Sequence, residues 1–187
     1  MKVLAINCKS NRFGGVIYLI AAVVLDQEKN VIDEFYGQIP DCFITDKEMV
    51  NNVINKINRQ PNYSMHMELV KAFGAFYKKH TESEIVFKDS FLSLARLFIE
   101  CVDYNFLSLK DISCSINNNE YKILNPITEI NSLLHITKKE LSTETKNLID
   151  LSTINYSVGI YSPIDECKEI CNIYLDIFNQ CPEIVKY

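Results

Sequence analysis

The chain has 187 residues, of which 48% are hydrophobic, and its formal net charge at pH 7 is −5. This size and hydrophobic content predict one domain, residues 1–187, with a sizeable core. The acidic balance argues against tight non-specific binding to nucleic acid, which depends on a basic excess, and no apolar run is long enough to cross a bilayer.

The cysteine pattern bears on metal binding and on location. Seven cysteines and three histidines occur, but no Cys-x-x-Cys pair does, so a zinc site is not expected. Cys167 and Cys171 lie four residues apart on the apolar face of a predicted helix. Reduced core thiols and the lack of signal-peptide architecture at the N-terminus predict a cytoplasmic protein.

The first forty residues show three apolar segments separated by short polar links. Strands are predicted at Lys2–Ile6, Val16–Leu25 and Val31–Ile39. Because the links are short, the strands are expected to form an antiparallel meander.

The middle of the chain alternates between helical and strand patterns. Helices are expected from Thr45 or Asp46 to Ile57, after a Ser64 cap, and over Phe91–Val102, Ile127–Leu134 and Lys138–Leu151. Strands are expected at Glu84–Lys88 and Tyr121–Leu124.

The last helix has the clearest signals. Ser162 is suited to the N-cap and Pro163 to the first helical position. Its buried stripe is predicted to contain Cys167, Ile170, Cys171, Tyr174 and Phe178. The order of elements predicts an α/β fold, a mixed sheet with an antiparallel N-terminal three-strand meander and helices on both faces.

The N-terminal strand and its neighbour resemble the opening of a known family. Strand one leads into Ile6–Asn7–Cys8–Lys9, and Ala22–Asp26 closes strand two. This layout resembles the DEDD family of 3′–5′ exonucleases, which have a ribonuclease-H-like fold. In that family the first strand ends in Asp-x-Glu, and the two carboxylates hold catalytic metals. Asn7 and Lys9 stand at those two positions here.

Two later segments extend the resemblance. In the second, Leu94 best matches the next catalytic Asp, while Asp89 lies earlier, near a strand end. In the third, Glu166 matches the last metal-binding Asp and Tyr161 matches the general base, with Asp165 beside them. The resemblance therefore implies a degenerate site, with Glu166, Tyr161 and Asp89 as the remaining catalytic candidates. Acids in a first helical turn are also favoured by the helix dipole alone.

The family reaction is phosphodiester hydrolysis with two metal ions. Asn, Lys, Leu and Glu at the matched positions supply one carboxylate in four, which is too few for hard divalent cations. No metal or cofactor is therefore expected; if the protein is active, Mg²⁺ or Mn²⁺ would be held by Glu166 and Asp165. We hypothesise that the Lys9 ammonium replaces a metal and pairs with Glu166. The alternative is that Lys9 points to solvent beyond the strand end.

Three functional interpretations remain. The first is a degenerate exonuclease-like pseudoenzyme, catalytically inactive, that binds a protein or nucleic acid. The second is an active, divergent 3′–5′ exonuclease that cleaves single-stranded RNA or DNA with Asp89, Asp103, Asp165 and Glu166. The third is an unrelated α/β protein, for which Asn7 and Glu166 would lie far apart. The acidic charge favours a protein partner over single-stranded nucleic acid, and no membrane partner is expected.

Overall fold

The structure is a computed structural model that describes residues 1–11, 15–45, 47–88, 91–116, 120–123, 127–129 and 162–180. The strands are β1 Lys2–Ser10, β2 Ile17–Asp26, β3 Val31–Gln38, β4 Glu84–Phe87, β5 Ser113–Ile116, β6 Glu120–Ile123 and β7 Ile127–Glu129. The helices are α1 Lys47–Asn52, α2 His66–Lys78, α3 Phe91–Asp103, α4 Leu109–Ile112 and α5 Pro163–Gln180. No helix in these ranges is long and apolar enough to cross a membrane.

Five of the described strands form a mixed sheet in the order β3-β2-β1-β4-β7, and β5 pairs with β6 separately. β1, β2 and β3 are antiparallel, whereas β4 runs parallel to both β1 and β7. The turn from β2 to β3 places Lys29 in the left-handed region, at φ 67°. The Asp26 carboxylate accepts hydrogen bonds from the Asn30 backbone and side chain. The predicted N-terminal meander is confirmed.

Both faces of the sheet carry helices, as predicted. Because side chains alternate along a strand, Leu4 and Ile6 of β1 pack into one core with α2 and α3, while Val3 and Ala5 pack against α5. Burial of this kind contributes roughly 25 cal/mol per Å² of apolar surface removed from water. The sheet thus lies between two helical layers.

Helix α5 is positioned by its cap and by polar contacts along its length. The Ser162 hydroxyl accepts a hydrogen bond from the Asp165 backbone N–H at 3.3 Å, so the predicted N-cap is confirmed. Lys29 pairs with Asp176 at 2.5 Å, and the Tyr174 hydroxyl donates to the Glu84 carboxylate. Of the predicted stripe, Cys167, Ile170, Cys171 and Tyr174 are buried, whereas Phe178 is half-buried.

Three sequence expectations are wrong. The helix expected before Ile57 breaks into α1 and a short 3₁₀ turn at Ile54–Lys56, because Asn and β-branched residues support a helix poorly. Met65, not Ser64, is the N-cap residue of α2, and the Ser64 N–H instead donates to Glu68. Residues Ile127–Glu129 form a strand, since pairing with β4 suits β-branched side chains.

The other expected elements have mixed outcomes. β6 agrees with the strand predicted from Tyr121, although Leu124 is outside the described residues. The helix expected at Lys138–Leu151 also lies outside them.

Candidate functional site

The candidate residues come from three elements that meet near the carboxyl end of β1. Asn7 and Lys9 are two residues apart on β1 and therefore share a face of the sheet. Glu166 lies in the first turn of α5, which packs on that face. Leu94 lies in the first turn and a half of α3, on the other side of β1. The structure brings Asn7, Leu94 and Glu166 around one small cavity.

Asn7 and Glu166 are in direct contact. The Asn7 Nδ2 donates a hydrogen bond to Glu166 Oε2 at 2.5 Å, although 159 positions separate the two residues. Asn7 is 5% exposed and Glu166 is 6% exposed. The contact contradicts the interpretation in which the two residues lie far apart by chance. A buried carboxylate requires donors, and the Asn7 amide supplies one where a second carboxylate would repel it.

Lys9 lies inside the strand and not beyond its end. β1 continues to Ser10, and Lys9 pairs with Leu19 of β2 in the antiparallel register. Its side chain is half-buried. Burial raises the pKa of the Cys167 thiol well above its ordinary value, while the Lys9 ammonium acts in the opposite direction. The positive charge of Lys9 therefore acts on Cys167 of α5. The idea that Lys9 points to solvent beyond the strand end is wrong; its pairing with Glu166 stays a prediction.

The cavity between these residues is too small for the two-metal reaction. Its free volume is about 10 Å³, which is close to the room that one water molecule needs. Its lining consists of Ile6, Asn7, Cys8, Phe87, Lys88, Leu94, Glu166 and Ile170. Two catalytic metal ions lie roughly 4 Å apart and need several oxygen ligands each. Among the described residues, one carboxylate already bound by an amide does not fit such a centre.

A second carboxylate lies one turn further along α5. Partial desolvation raises the pKa of Glu169, which is exposed overall; Lys88 lowers that pKa and the nearby Glu166 carboxylate raises it. Lys88 follows the last residue of β4 and also lines the cavity. Of the charged side chains in the described residues, Lys88 and Glu166 line the cavity, one cationic and one acidic.

The other acidic candidates do not converge on this point in the described residues. Asp165 is exposed in the first turn of α5. Asp103 is the exposed last residue of α3, about 13 Å beyond Leu94 along the helix at 1.5 Å per residue. Asp89 and Tyr161 lie outside the described residues. Within the described ranges, no three His, Cys, Asp or Glu side chains form a group that could hold a metal ion.

Sequence reasoning missed two polar contacts near this end of the sheet. The Ser10 and Ser93 hydroxyls are 3.0 Å apart and join β1 to α3. Glu100 of α3, 4% exposed, contacts both Arg96 and His66. The four-residue spacing of Arg96 and Glu100 was a readable signal for a helical ion pair. Nothing in the sequence connects either residue to His66, 30 or more positions away.

The chain is similar to solved structures in fold but not detectably in sequence. No family model matches it, and no curated protein matches it either. The exonuclease I of Methylocaldum szegediense matches with a TM-score of 0.57 and 10% identity over 99% of this chain. An apo exonuclease I structure matches with a TM-score of 0.60 and 12% identity over 100% of this chain.

A third structure, Escherichia coli exonuclease I in complex with a dA16 oligonucleotide, has a TM-score of 0.58 and 10% identity over 100% of this chain. The matches cover 42%, 44% and 42% of those three chains, so this chain spans less than half their length. The chain therefore has the exonuclease fold that exonuclease I contains.

Proposed function

We propose that the protein is an exonuclease-fold binding module that no longer hydrolyses phosphodiesters. The observation that carries this proposal is the buried hydrogen bond from Asn7 to Glu166, 2.5 Å long. It uses an oxygen of the carboxylate that best matches a metal ligand, and it brings an amide N–H, which repels a cation, to that oxygen. Hydrolysis by the family route needs both oxygens and further carboxylates beside them.

The size of the cavity supports the same conclusion independently. A terminal nucleotide and two metal ions need far more than the 10 Å³ between β1, α3 and α5. Opening that space would require α5 to move off β1, which would expose Cys167, Ile170 and Cys171, now buried. The cost of exposing such side chains is roughly 1.5–3 kcal/mol for each of the larger ones. The closed arrangement is thus stabilised by the core itself.

A protein is the partner that the charge of the chain favours. Some of the similar structures are complexes of exonuclease I with oligonucleotides, and others are complexes with SSB. Both kinds of partner are proposals for this chain. The net charge of −5 opposes contact with a phosphate backbone, so we favour a protein partner over single-stranded nucleic acid. A partner with a basic or apolar contact surface fits this chain better.

A nuclease assay tests the proposal directly. The substrates are 3′-labelled single-stranded RNA and DNA with Mg²⁺ or Mn²⁺, and the proteins are the wild type, Glu166→Gln and Glu169→Gln. Glu169 lies one turn from Glu166 on the same helix but is exposed, so it is a matched control. We expect no loss of 3′ nucleotides with any of the three.

Hydrolysis that Glu166→Gln abolishes and Glu169→Gln keeps would overturn the proposal. It would establish the alternative, an active divergent exonuclease with a rearranged carboxylate set. Binding is measured separately, by fluorescence anisotropy of labelled dA16 at low salt. Tight, salt-sensitive binding without hydrolysis would assign the module to single-stranded nucleic acid and not to a protein.

A further inference from the structure

An ionic cluster around the buried Glu100 carboxylate joins α2, α3 and β2 on the face of the sheet opposite α5. Glu100 of α3 is 4% exposed. Arg96 Nε donates to its Oε1 at 2.5 Å, and His66 Nε2 lies 2.6 Å from its Oε2. One oxygen of this carboxylate therefore contacts a cationic side chain, and the other contacts an imidazole that can become cationic. The cluster bridges two helices, and its members His66 and Arg96 are 30 positions apart in the chain.

The second nitrogen of His66 fixes its protonation state. Nδ1 lies 2.8 Å from the backbone carbonyl oxygen of Ile17, the first residue of β2. A carbonyl oxygen can only accept, so Nδ1 must carry a hydrogen. Nε2 faces a carboxylate, which accepts as well. Only the imidazolium, with a hydrogen on both nitrogens, satisfies both contacts; a neutral ring directs a lone pair at one of the two acceptors.

The charged groups around the ring agree with this reading. Burial of His66 lowers its pKa, but the hydrogen bonds to Glu100 and Ile17 outweigh burial and raise the pKa above 6.5, while Arg96 acts against them. Burial likewise raises the pKa of Glu100, but His66 and Arg96 outweigh it and lower the pKa below 4.5. Among the described groups, α3 presents Glu100 and Arg96 to the ring, and β2 presents only the Ile17 carbonyl.

We propose that His66, Glu100 and Arg96 form a pH-sensitive latch that holds the first turn of α2 against β2 and α3 while His66 is protonated. His66 is the first residue of α2, so the contacts of its ring attach the start of the helix to β2 and α3. On deprotonation one tether is lost, and the first turn, flanked by the exposed Met65 and Met67, is released. The latch operates whether the site at β1 hydrolyses, binds or does neither.

The sign of the pH dependence follows from the two shifts. Because the pKa of His66 is raised, its contribution to the stability of the latch is complete below pH 6.5 and is lost as the pH rises through the folded-state pKa. Because the pKa of Glu100 is lowered, its contribution to the stability of the latch is complete above pH 4.5 and is lost as the pH falls through the folded-state pKa. The latch is therefore fully engaged between about pH 4.5 and 6.5 and releases on the alkaline side.

Ring-nitrogen NMR and amide hydrogen exchange test the latch on the intact protein. The wild type, Glu100→Gln and Arg96→Met are titrated from pH 5 to 9, with His66→Gln used to assign the His66 signals. We expect a wild-type imidazolium that titrates above pH 6.5. Glu100→Gln should lower that midpoint, whereas Arg96→Met should raise it, because Arg96 is a cation that opposes protonation.

Exchange at the Leu69 and Val70 amides reports release of the first turn. Their protection factors should fall about tenfold per pH unit between pH 6.5 and the His66 midpoint and stay level outside that interval. The same amides in His66→Gln should show no such step. Three results would each overturn the latch. They are a neutral His66 at pH 6, a His66 midpoint that moves in the same direction in Glu100→Gln and Arg96→Met, and amide protection factors that do not change near the His66 midpoint. If Glu100→Gln does not fold, the wild-type titration and Arg96→Met still decide.

Discussion

The hydrogen bond between Asn7 and Glu166 can be tested by reversing its chemistry. Asn7→Asp removes the amide donor and places a second carboxylate about 3 Å from that of Glu166, since the present contact is 2.5 Å. A hydrogen bond to a charged group contributes about 1.5–3 kcal/mol. Two unit charges 3 Å apart repel by about 5 kcal/mol at an effective dielectric constant of 20. The variant folds more easily with one shared proton than with two charges.

The free-energy cost of holding that proton determines how much Asn7→Asp destabilises the fold and how this destabilisation depends on pH. Holding one proton on a carboxyl with an ordinary pKa near 3.9 costs about 5 kcal/mol at pH 7.5 and about 1.5 kcal/mol at pH 5. The shared proton restores part of the lost hydrogen bond. Because only part of that hydrogen bond is restored, we expect Asn7→Asp to destabilise the fold by at least about 5 kcal/mol at pH 7.5 and at least about 1.5 kcal/mol at pH 5. Stability falls as pH rises, because the folded variant keeps a proton that the unfolded chain releases.

Urea denaturation at pH 5 and pH 7.5 measures this difference. The control is the swapped pair, Asn7→Asp combined with Glu166→Gln, in which the Gln amide donates to the new carboxylate and the pH dependence should disappear. Asp165→Asn serves as a neighbouring exposed control and should change stability by less than about 0.5 kcal/mol. Equal destabilisation by Asn7→Asp at both pH values, or a swap that recovers nothing, would refute a buried contact between these two side chains.

Further predictions concern the sheet surface and the thiols. Gly37→Ala places a Cβ 2.1 Å from Leu69 Cδ1 and should cost about 1–3 kcal/mol by urea denaturation, whereas Gly74→Ala meets only a 3.1 Å contact and should be near neutral. Asn62→Ala removes two 2.9 Å hydrogen bonds to the β3 backbone and should cost about 1–2 kcal/mol in the same assay. With Cys114 and Cys181 changed to Ser, only the exposed Cys42 among the remaining cysteines should react with a thiol reagent in the folded protein; fast reaction of the buried thiols would contradict the described core.

Much of the fold was readable because local pattern and tertiary structure agree. The apolar run of β2 has no polar position from Ile17 to Leu25, which is typical of a central strand buried on both faces. The α5 start was readable because Ser162 and Pro163 are cap residues with a defined geometry. The strand at Ile127 was not, since three residues carry too little periodicity and their pairing with β4 comes from 40 positions away.

The meeting of Asn7 and Glu166 was predictable from the sequence, but the geometry of their contact was not. The resemblance brought Asn7 and Glu166 to one place from opposite ends of the chain, and the structure confirms that they meet. It did not foresee that Asn7 itself would donate to Glu166, and it ended β1 too early, at Ile6. Polar residues from Asn7 to Ser10 read as a strand end, yet the apolar Leu19 and Ile20 of β2 pair with them and keep them in the sheet.

The charges at the carboxyl end of β1 favour a fold that is stable without metal. Carboxylates clustered in a partly dry site repel one another unless a cation is bound. The Asn7 amide instead donates a hydrogen bond to Glu166 and so holds the first turn of α5 against β1. In the proposed inactive module, stability at this point does not depend on a ligand, whereas catalytic sites commonly sacrifice stability for function. The buried hydrogen bond from Asn7 to Glu166 closes the sheet against α5.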